Sequence, residues 1–426
     1  MLKKLIEKIE SKKCVICVLG LGRVGLPLAT VFANAGIKVI GIDVNQERLK
    51  LIKNSKCPFY DPKLQESLEN ALISKNLILN SKINQVTENI DIIFITVGTP
   101  TIENNIDYSQ IYSALNELKQ LDLKGKMLIF RSTLPPKTTT DIIVPFLEKN
   151  SSLKGGIDFG VAMCPERILE GKAIQELYEL PEIIGGINDI CNKIASKIFK
   201  ILNPQKEILY TSSTGAELAK LFANIFRYTN FALANEFAIW AEKYGEDASD
   251  LIQKVNHEYS RSNIPIPGFA GGPCLSKDGL FLDSNSSFSG IISSVWKLNE
   301  SIPQYIVNKI KEISGNLFDK KIAIFGVAFK AGSDDIRNSP SQKLVDILKS
   351  AGANVVVYDP HVKDTSTLDE VLGSTEIIII ATNHKEFLDL KEPINNCDCK
   401  IIYDVWSMFS DDDFNDKKYY RFGKGI

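Results

Sequence analysis

The chain has 426 residues, and its 50 Lys and Arg against 52 Asp and Glu leave a formal charge of −2. That length allows two or three domains with sizeable cores, and the near balance of charge gives no bulk attraction to nucleic acid or to an anionic membrane, so any anion site must be local. Eight cysteines are too sparse for a disulfide scaffold and match no zinc spacing, so no metal site is expected and a reducing, cytoplasmic setting fits best.

Residues 1 to 13 carry Leu and Ile at helical spacing among lysines and predict a short amphipathic helix; no apolar run is long enough to span a membrane. Cys14 and Cys17 form a CxxC, and Cys397 and Cys399 a CxC, each in or beside a strand-like run with no partner pair for redox or metal work. Val15 to Leu19 is an apolar, β-branched run that leads into Gly20, Gly22 and Gly25, a helical pattern from Leu26 to Ala35, and a second strand, Val39 to Ile42, ending in Asp43. A lone GxGxxG is a weak signal. Strand, glycine turn, helix and acid-terminated strand together are the setting in which glycines admit a pyrophosphate and a helix N-terminus meets its charge. The Asp43 carboxylate suits a ribose 2′-hydroxyl and repels a 2′-phosphate, so NAD is expected rather than NADP. Arg48 lies one turn further on, where it either stacks on the adenine or stays in solvent.

The βα alternation continues with Asp91 to Val97, broken at Gly98, Thr99 and Pro100, and with Met127 to Phe130, broken by Arg131, Ser132, Thr133, Leu134 and Pro135. Phe159 to Met163 runs into Cys164, Pro165, Glu166 and Arg167, with Glu170 close behind. Ligands of a doubly wound sheet bind beyond the carboxyl ends of its strands, which makes these loop residues site candidates.

From Thr214 to about Tyr244 one long helical pattern follows; between Leu218 and Ala241 its only charges are Lys220, Arg227 and Glu236, so most of its circumference is expected to be buried. Lys220 and Asn224, four apart, share a face. A Lys there needs a partner or a polar cavity unless it snorkels at the helix edge. A Pro-punctuated segment then leads to Gly271, Gly272, Pro273, Cys274, Leu275, Ser276, Lys277 and Asp278. Diglycine lets backbone approach a ligand, a thiol beside a cation is more readily a thiolate, and Asp278 is one helical turn from Cys274, where it can handle a proton or a water. Read alone, this octapeptide is equally a tight turn with a core cysteine. Helix continues to about Glu312, and a long apolar helix in mid-chain suggests a spine between domains and a homodimer interface.

The α/β pattern restarts with Ile322 to Val327, a helix after Pro340, and strands Val355 to Tyr358, Ile377 to Ala381 and Ile401 to Val405. Gly326, Val327, Ala328, Phe329 and Lys330 lack the GxGxxG spacing, so no second dinucleotide is expected, while Lys330 and Arg337 are placed to meet phosphate or the first cofactor. The charged run Asp411 to Lys418 reads as a solvated tail. The expected fold is α/β, with two Rossmann-like doubly wound domains joined by a central long-helix domain. The boundaries expected are 1–210 for the NAD-binding domain, 211–312 for the helical domain with the cysteine loop, and 313–426 for a nucleotide-sugar-binding domain.

The glycine fingerprint with Asp43, Ser-Thr-Leu-Pro at 132 to 135, Pro165 with Glu166, the Lys220 and Asn224 pair, and GGPCLSKD occur in that order. In this the chain resembles the UDP-glucose/GDP-mannose dehydrogenase family of nucleotide-sugar 6-dehydrogenases, over roughly residues 14 to 408. The resemblance implies oxidation of a sugar C6 alcohol to a carboxylate by two successive NAD, through a thiohemiacetal and thioester on Cys274. It implies that Lys220 and Asn224 stabilise an oxyanion, that Asp278 orients water, and that Thr133 and Glu166 hold a water and proton network. Gly20, Gly22, Gly25, Asp43, Thr99, Ser132, Thr133, Lys277 and Arg337 would touch NAD. Glu170, Arg261, Phe269, Gly271, Phe329 and Lys330 would touch the UDP-sugar, with Arg261 reaching across a homodimer.

The substrate markers diverge. CPER at 164 to 167 with Arg261 resembles the branch acting on UDP-N-acetylhexosamines such as UDP-N-acetylmannosamine, and GGPC resembles the UDP-glucose branch; the first is expected, UDP-glucose is the alternative and GDP-mannose comes third. The rival readings are a two-electron β-hydroxyacid-type dehydrogenase, which needs neither Cys274 nor a third α/β block, and a catalytically inert nucleotide-sugar-binding protein.

Overall fold

A computed structural model describes residues 2–86, 89–102, 105–283, 290–373 and 375–425. The chain folds as two compact units, Met1–Phe222 with Leu280–Ser284, and Ala223–Gly279 with Asn285–Ile426.

Among the described residues the first unit is built on ten strands: β1 (Val15–Leu19), β2 (Lys38–Ile42), β3 (Leu77–Asn80), β4 (Ile92–Ile95), β5 (Thr101–Ile102), β6 (Asn105–Ile106), β7 (Met127–Phe130), β8 (Gly160–Met163), β9 (Glu182–Gly186) and β10 (Ile208–Tyr210). β5 and β6 form a small antiparallel ladder; the others make one sheet in the order β10-β9-β8-β7-β4-β1-β2-β3, parallel except where β9 meets β8. The order turns back on itself at β1 and β4, the crevice at which doubly wound sheets bind ligands. Strands such as Ile92–Ile95 and Met127–Phe130 are buried at every position, and so read as unbroken apolar runs. Their side chains alternate between two cores, Ile16, Phe94 and Ile129 on one face and Cys17, Ile95 and Leu128 on the other. Cys14 belongs to the first core and Cys17 to the second, so the CxxC spacing puts its thiols on opposite faces of the sheet. Helix α1 (Leu2–Glu10) buries Leu2, Leu5 and Ile9 and anchors Lys8 on Asp91 at 2.6 Å; α2 (Gly25–Asn34) follows the glycine turn.

The second unit carries a five-stranded parallel sheet of β11 (Lys321–Phe325), β12 (Asn354–Tyr358), β13 (Ile377–Ile380), β14 (Ile401–Asp404) and β15 (Lys418–Arg421), in the order β12-β11-β13-β14-β15. The expected solvated tail at Asp411–Lys418 is instead ordered. Asp413 pairs with Lys391 at 2.5 Å, Asp411 pairs with Lys424, and Lys418 opens the edge strand in register with Ile401. Its acids and Lys417 are held by partners distant in the chain, which local charge density does not reveal.

The long helix Ser213–Lys243 runs from the first unit into the second. The expectation that most of its circumference is buried fails: Phe222, Phe226, Leu233 and Trp240 are exposed in the single chain. At 100° per residue these positions fall in one stripe, while Leu221, Tyr228, Ala234, Asn235 and Ala238 are buried. No helix among the described residues is long and apolar enough to cross a membrane.

Candidate active site

Each fingerprint glycine does a separate job. Gly20 sits at φ 95°, and a Cβ there would press on the Thr96 carbonyl at 3.2 Å. At Gly25 a Cβ would lie 1.8 Å from the Gly20 carbonyl oxygen, so this residue lets α2 close onto β1. Gly22 has nothing within 4 Å of a notional Cβ; the protein leaves that side open, as the approach of a pyrophosphate requires. Asp43, at the end of β2, accepts from Leu21 N at 2.8 Å and Asn45 N at 2.8 Å. Arg48 donates to the same carboxylate at 2.7 Å, so its guanidinium lies on Asp43, where a ribose hydroxyl would compete with it.

The strand ends beside this turn are cross-braced. Thr99 Oγ1 donates to Thr133 O at 2.8 Å and Ser132 Oγ to Val97 O at 2.6 Å. Both hydroxyls hold the loops after β4 and β7 together. Glu170 pairs at 3.5 Å with Arg23, whose guanidinium also lies 5.0 Å above the Phe59 ring; the loop after β8 is thereby tied to the fingerprint turn.

Glu166 is buried, with Oε2 accepting from two nitrogens of Arg131 and Oε1 accepting from Arg167 N and Ile168 N at 2.8 and 3.0 Å. Its carboxyl is one for which burial alone would raise the pKa, but the Arg131 charge and these donors overcome that and lower it. Such a carboxylate anchors the loop as an anion. Arg131 also donates to Glu182 at 2.9 Å and lies 4.9 Å over the Phe199 ring. One guanidinium thus serves two carboxylates. Glu166 takes most of the donors, and burial pushes Glu182 up to about 7.

Helix Ser213–Lys243 is locked to the β7 loop by Glu217, fully buried, which accepts from Lys137 N at 2.7 Å and from Thr139 N and Oγ1 at 2.8 and 2.6 Å. One turn later Lys220 is half-buried, and its ammonium meets no ion-pair or hydrogen-bond partner among the described residues.

In the second unit Asn224 Nδ2 donates to Asp278 Oδ2 at 2.6 Å, and Lys277 Nζ lies 3.2 Å from Asp278 Oδ1. Asp278 is fully buried, while Cys274, one turn before it, is exposed. The thiol is therefore accessible, unlike Cys14, Cys17 and Cys164, which are buried and whose thiols burial pushes up. The cysteine loop rests on the turn after β11. Gly272, at φ 95°, donates to Asn338 O at 3.0 Å, and a Cβ on it would strike the Phe329 ring at 2.4 Å; a Cβ on Gly271 would strike Pro340 at 2.6 Å. Gly268, just upstream, is fixed by Asn235 Oδ1 at 2.9 Å. Lys330 is half-buried on the same turn. Arg337 is forked onto Asp335, and Arg261 is exposed, 4.8 Å over the Tyr259 ring. Phe269 is buried in the same core cluster as Ile302, Ile306 and Val405.

Reading the sequence missed Arg23, Glu182, Glu217, Asp359 and His384, and gave Arg131 no role beyond its place in the loop after β7. Asp359 was accessible to inspection, since it ends β12 as Asp43 ends β2; Glu217 lies one residue before the apolar stretch in which charges were sought. Among the described residues one group of metal-type ligands converges, His361, His384 and Glu386, with ligand atoms within 4.8 Å of one another.

Comparison with known proteins covers both units. The NAD binding domain of the UDP-glucose/GDP-mannose dehydrogenase family matches residues 14–203, its central domain 214–304 and its UDP binding domain 323–416. A UDP-N-acetyl-D-mannosamine dehydrogenase of Methanococcus vannielii is 36% identical over 398 residues, covering 91% of this chain and 89% of that protein. The solved UDP-D-ManNAc dehydrogenase of Pyrococcus horikoshii matches with a TM-score of 0.90 at 32% identity, covering 96% of this chain and 99% of that one. A solved UDP-glucose dehydrogenase of Pyrobaculum islandicum matches with a TM-score of 0.84 at 26% identity, covering 97% and 98%.

Proposed function

The chain belongs to the UDP-glucose/GDP-mannose dehydrogenase family and is an NAD-dependent UDP-sugar dehydrogenase; from that premise we propose that it oxidises C6 of a UDP-N-acetylhexosamine, UDP-N-acetylmannosamine first, to the carboxylate through a covalent Cys274 intermediate. The observation that carries this reading is the accessible Cys274 beside a buried Asp278 gripped by Asn224 and Lys277. The substrate is taken from the names of the relatives, the UDP-N-acetyl-D-mannosamine dehydrogenases of Methanococcus vannielii and Pyrococcus horikoshii.

Gly22, the N-terminus of α2 and Asp43 fit a dinucleotide, which when bound accepts one hydride in each of two oxidations. The first oxidation turns the C6 alcohol into an aldehyde. The Cys274 sulfur adds to that carbon, forming a C–S bond and a thiohemiacetal whose oxygen is stabilised by the Lys220 ammonium and the Asn224 amide. Loss of the second hydride leaves a thioester, and water, oriented by Asp278, breaks the C–S bond and returns the thiol. The sum is one alcohol, two NAD+ and one water giving a carboxylate, two NADH and three protons. Thr133 borders this chemistry; Glu166, with its oxygens committed to Arg131 and backbone, is assigned the anchoring of the loop. We assign the exposed stripe of Phe222, Phe226, Leu233 and Trp240 to a homodimer interface, Arg261 to the partner's sugar site, and the enzyme to the cytosol. Pro273 keeps UDP-glucose as the second reading.

NADH formed per sugar consumed, measured on UDP-N-acetylmannosamine, UDP-N-acetylglucosamine, UDP-glucose and GDP-mannose, tests the proposal. Two NADH per UDP-N-acetylmannosamine is expected. One per sugar would remove the covalent second half, and a preference for UDP-glucose would move the substrate to the second reading.

A further inference from the structure

Phe329 and Lys330 sit on a turn, residues 326 to 332, whose backbone is held by one buried pair. Asp359 Oδ2 accepts from Val327 N at 2.8 Å and Ala328 N at 3.1 Å, and lies 3.2 Å from His384 Nε2. His384 Nδ1 accepts from Gly332 N at 3.1 Å. Because that backbone N–H points at Nδ1, the ring proton of neutral His384 belongs on Nε2, where it donates to Asp359. The pair therefore grips the turn at both its start, 327 and 328, and its end, 332. Thr382, two residues before His384, adds a bond from Oγ1 to Ala328 O at 2.8 Å. His384 is fully buried and packs edge-on against Phe387 at 5.3 Å. The remaining Asp359 oxygen is filled by His361 N and Val362 N at 2.9 and 3.2 Å, so this carboxylate has no capacity left for a ligand. The same tautomer argues against the nearby His361, His384 and Glu386 acting as a metal site: with Nδ1 occupied by a donor, the Nε2 lone pair a metal needs is carrying the proton.

We propose that His384 and Asp359 are positioning residues for nucleotide binding: together they preset the Val327–Gly332 turn in the shape that receives the UDP moiety, and through Phe329 on Gly272 they set the seat of the cysteine loop. The inference rests on the reading of this turn as part of the UDP site. The preset matters because a turn of irregular backbone that had to be ordered by the ligand would take that ordering out of the binding free energy.

The test is UDP affinity by calorimetry on the full chain, with steady-state kinetics on the UDP-sugar and NAD. Replacing His384 by Phe fills the same volume and deletes both bonds. It is expected to weaken UDP binding and raise KM for the UDP-sugar by about tenfold or more, with KM for NAD within about twofold, since loss of buried hydrogen bonds of this kind is worth on the order of a tenfold change. His384→Gln, whose amide can still donate to Asp359, is expected to recover most of the loss. A general loss of stability without this split between substrates, or UDP affinity unchanged in a folded His384→Phe protein, overturns the inference. If His384→Phe does not fold, amide exchange in the wild-type chain decides: Val327, Ala328 and Gly332 amides protected before UDP is added support presetting, and protection only after UDP overturns it. Wild-type chain that fails to bind UDP overturns the reading of the turn itself, an outcome distinct from equal binding by wild type and variant.

Discussion

At the end of β1, Gly20 adopts φ 95° and donates to Ile42 O at 2.8 Å; at the end of β11, Gly326 adopts φ 90° and donates to Tyr358 O at 2.8 Å. The next residue in each case, Leu21 or Val327, donates at 2.8 Å to the carboxylate that ends the neighbouring strand, Asp43 or Asp359. The two βα turns share their bonds and part company afterwards. The first passes Gly22 and Gly25 directly into a helix, and its carboxylate meets the half-exposed Arg48. The second wanders to Pro340 before helix resumes, and its carboxylate is closed by His384. A common backbone device sets up both turns, and the partner of the acid decides whether a ligand can share it.

The hardest break of the comparison is at Gly25. Gly25→Ala places a methyl on the Gly20 carbonyl and is expected to cost about 3 kcal/mol or more in thermal unfolding. Gly22→Ala, in open space, is expected to melt like wild type and yet raise KM for NAD by about tenfold or more; if it binds NAD as well as wild type, Gly22 is only structural.

Next in size is the exchange of the two acids. Asp43→Asn is expected to shift the NAD to NADP ratio of kcat/KM by about tenfold toward NADP with UDP affinity unchanged, because only a charge repels the extra phosphate. Asp359→Asn, which turns an amide N–H₂ toward backbone donors, is expected to weaken UDP and spare NAD. The same effect of both variants on both ligands would end the distinction between the turns.

A smaller effect separates buried carboxylates by their donors. Burial pushes Glu182 and Glu217 from 4.5 up to about 7. At Asp359 burial also acts upward, but the hydrogen bond from His384 with those from the Val327 and His361 amides holds the group at about 2, below 3.8. A raised carboxyl binds a proton in the native state that the unfolded chain lacks, so the contribution of Glu182 and Glu217 to stability falls as pH rises from 4.5 through 7. Asp359 contributes above 3.8 and is lost only as pH falls toward 2. Melting temperatures from pH 5 to 8 should therefore decline less steeply in Glu182→Gln than in wild type, while Asp359→Asn keeps the wild-type slope. Equal slopes in wild type and Glu182→Gln would refute the assignment. The smallest expected change is Arg48→Ala, worth about 0.5 kcal/mol or less in melting as a partly exposed pair, with KM for NAD altered by less than about threefold.

Strands β1, β2, β4, β7, β8, β11, β13 and β14 were legible because a strand buried on both faces is apolar at nearly every residue, and β12 because its Val355–Val357 run is β-branched although only half-buried; the fingerprint turn was legible too, since its glycines answer to contacts within a few positions. Strands β3, β9, β10 and β15 escaped, each short or partly exposed, such as Lys418–Arg421 with no fully buried residue. The long helix was legible in extent and misread in burial, because an apolar stripe looks the same in the sequence whether or not its own chain covers it.

The order of the motifs, the glycine turn with Asp43, and the shared face of Lys220 and Asn224 follow from the sequence by itself, since spacing and periodicity are properties of neighbouring residues; the grouping of that pair with Cys274 came from the family resemblance. Only the tertiary structure decided which carboxylates are committed: Arg131 reaches Glu182 across 51 positions, Asn224 reaches Asp278 across 54 and Asp359 meets His384 across 25. A carboxylate's proton and partners depend on the donors and the burial around it, and those are brought together by the packing of segments far apart in the chain.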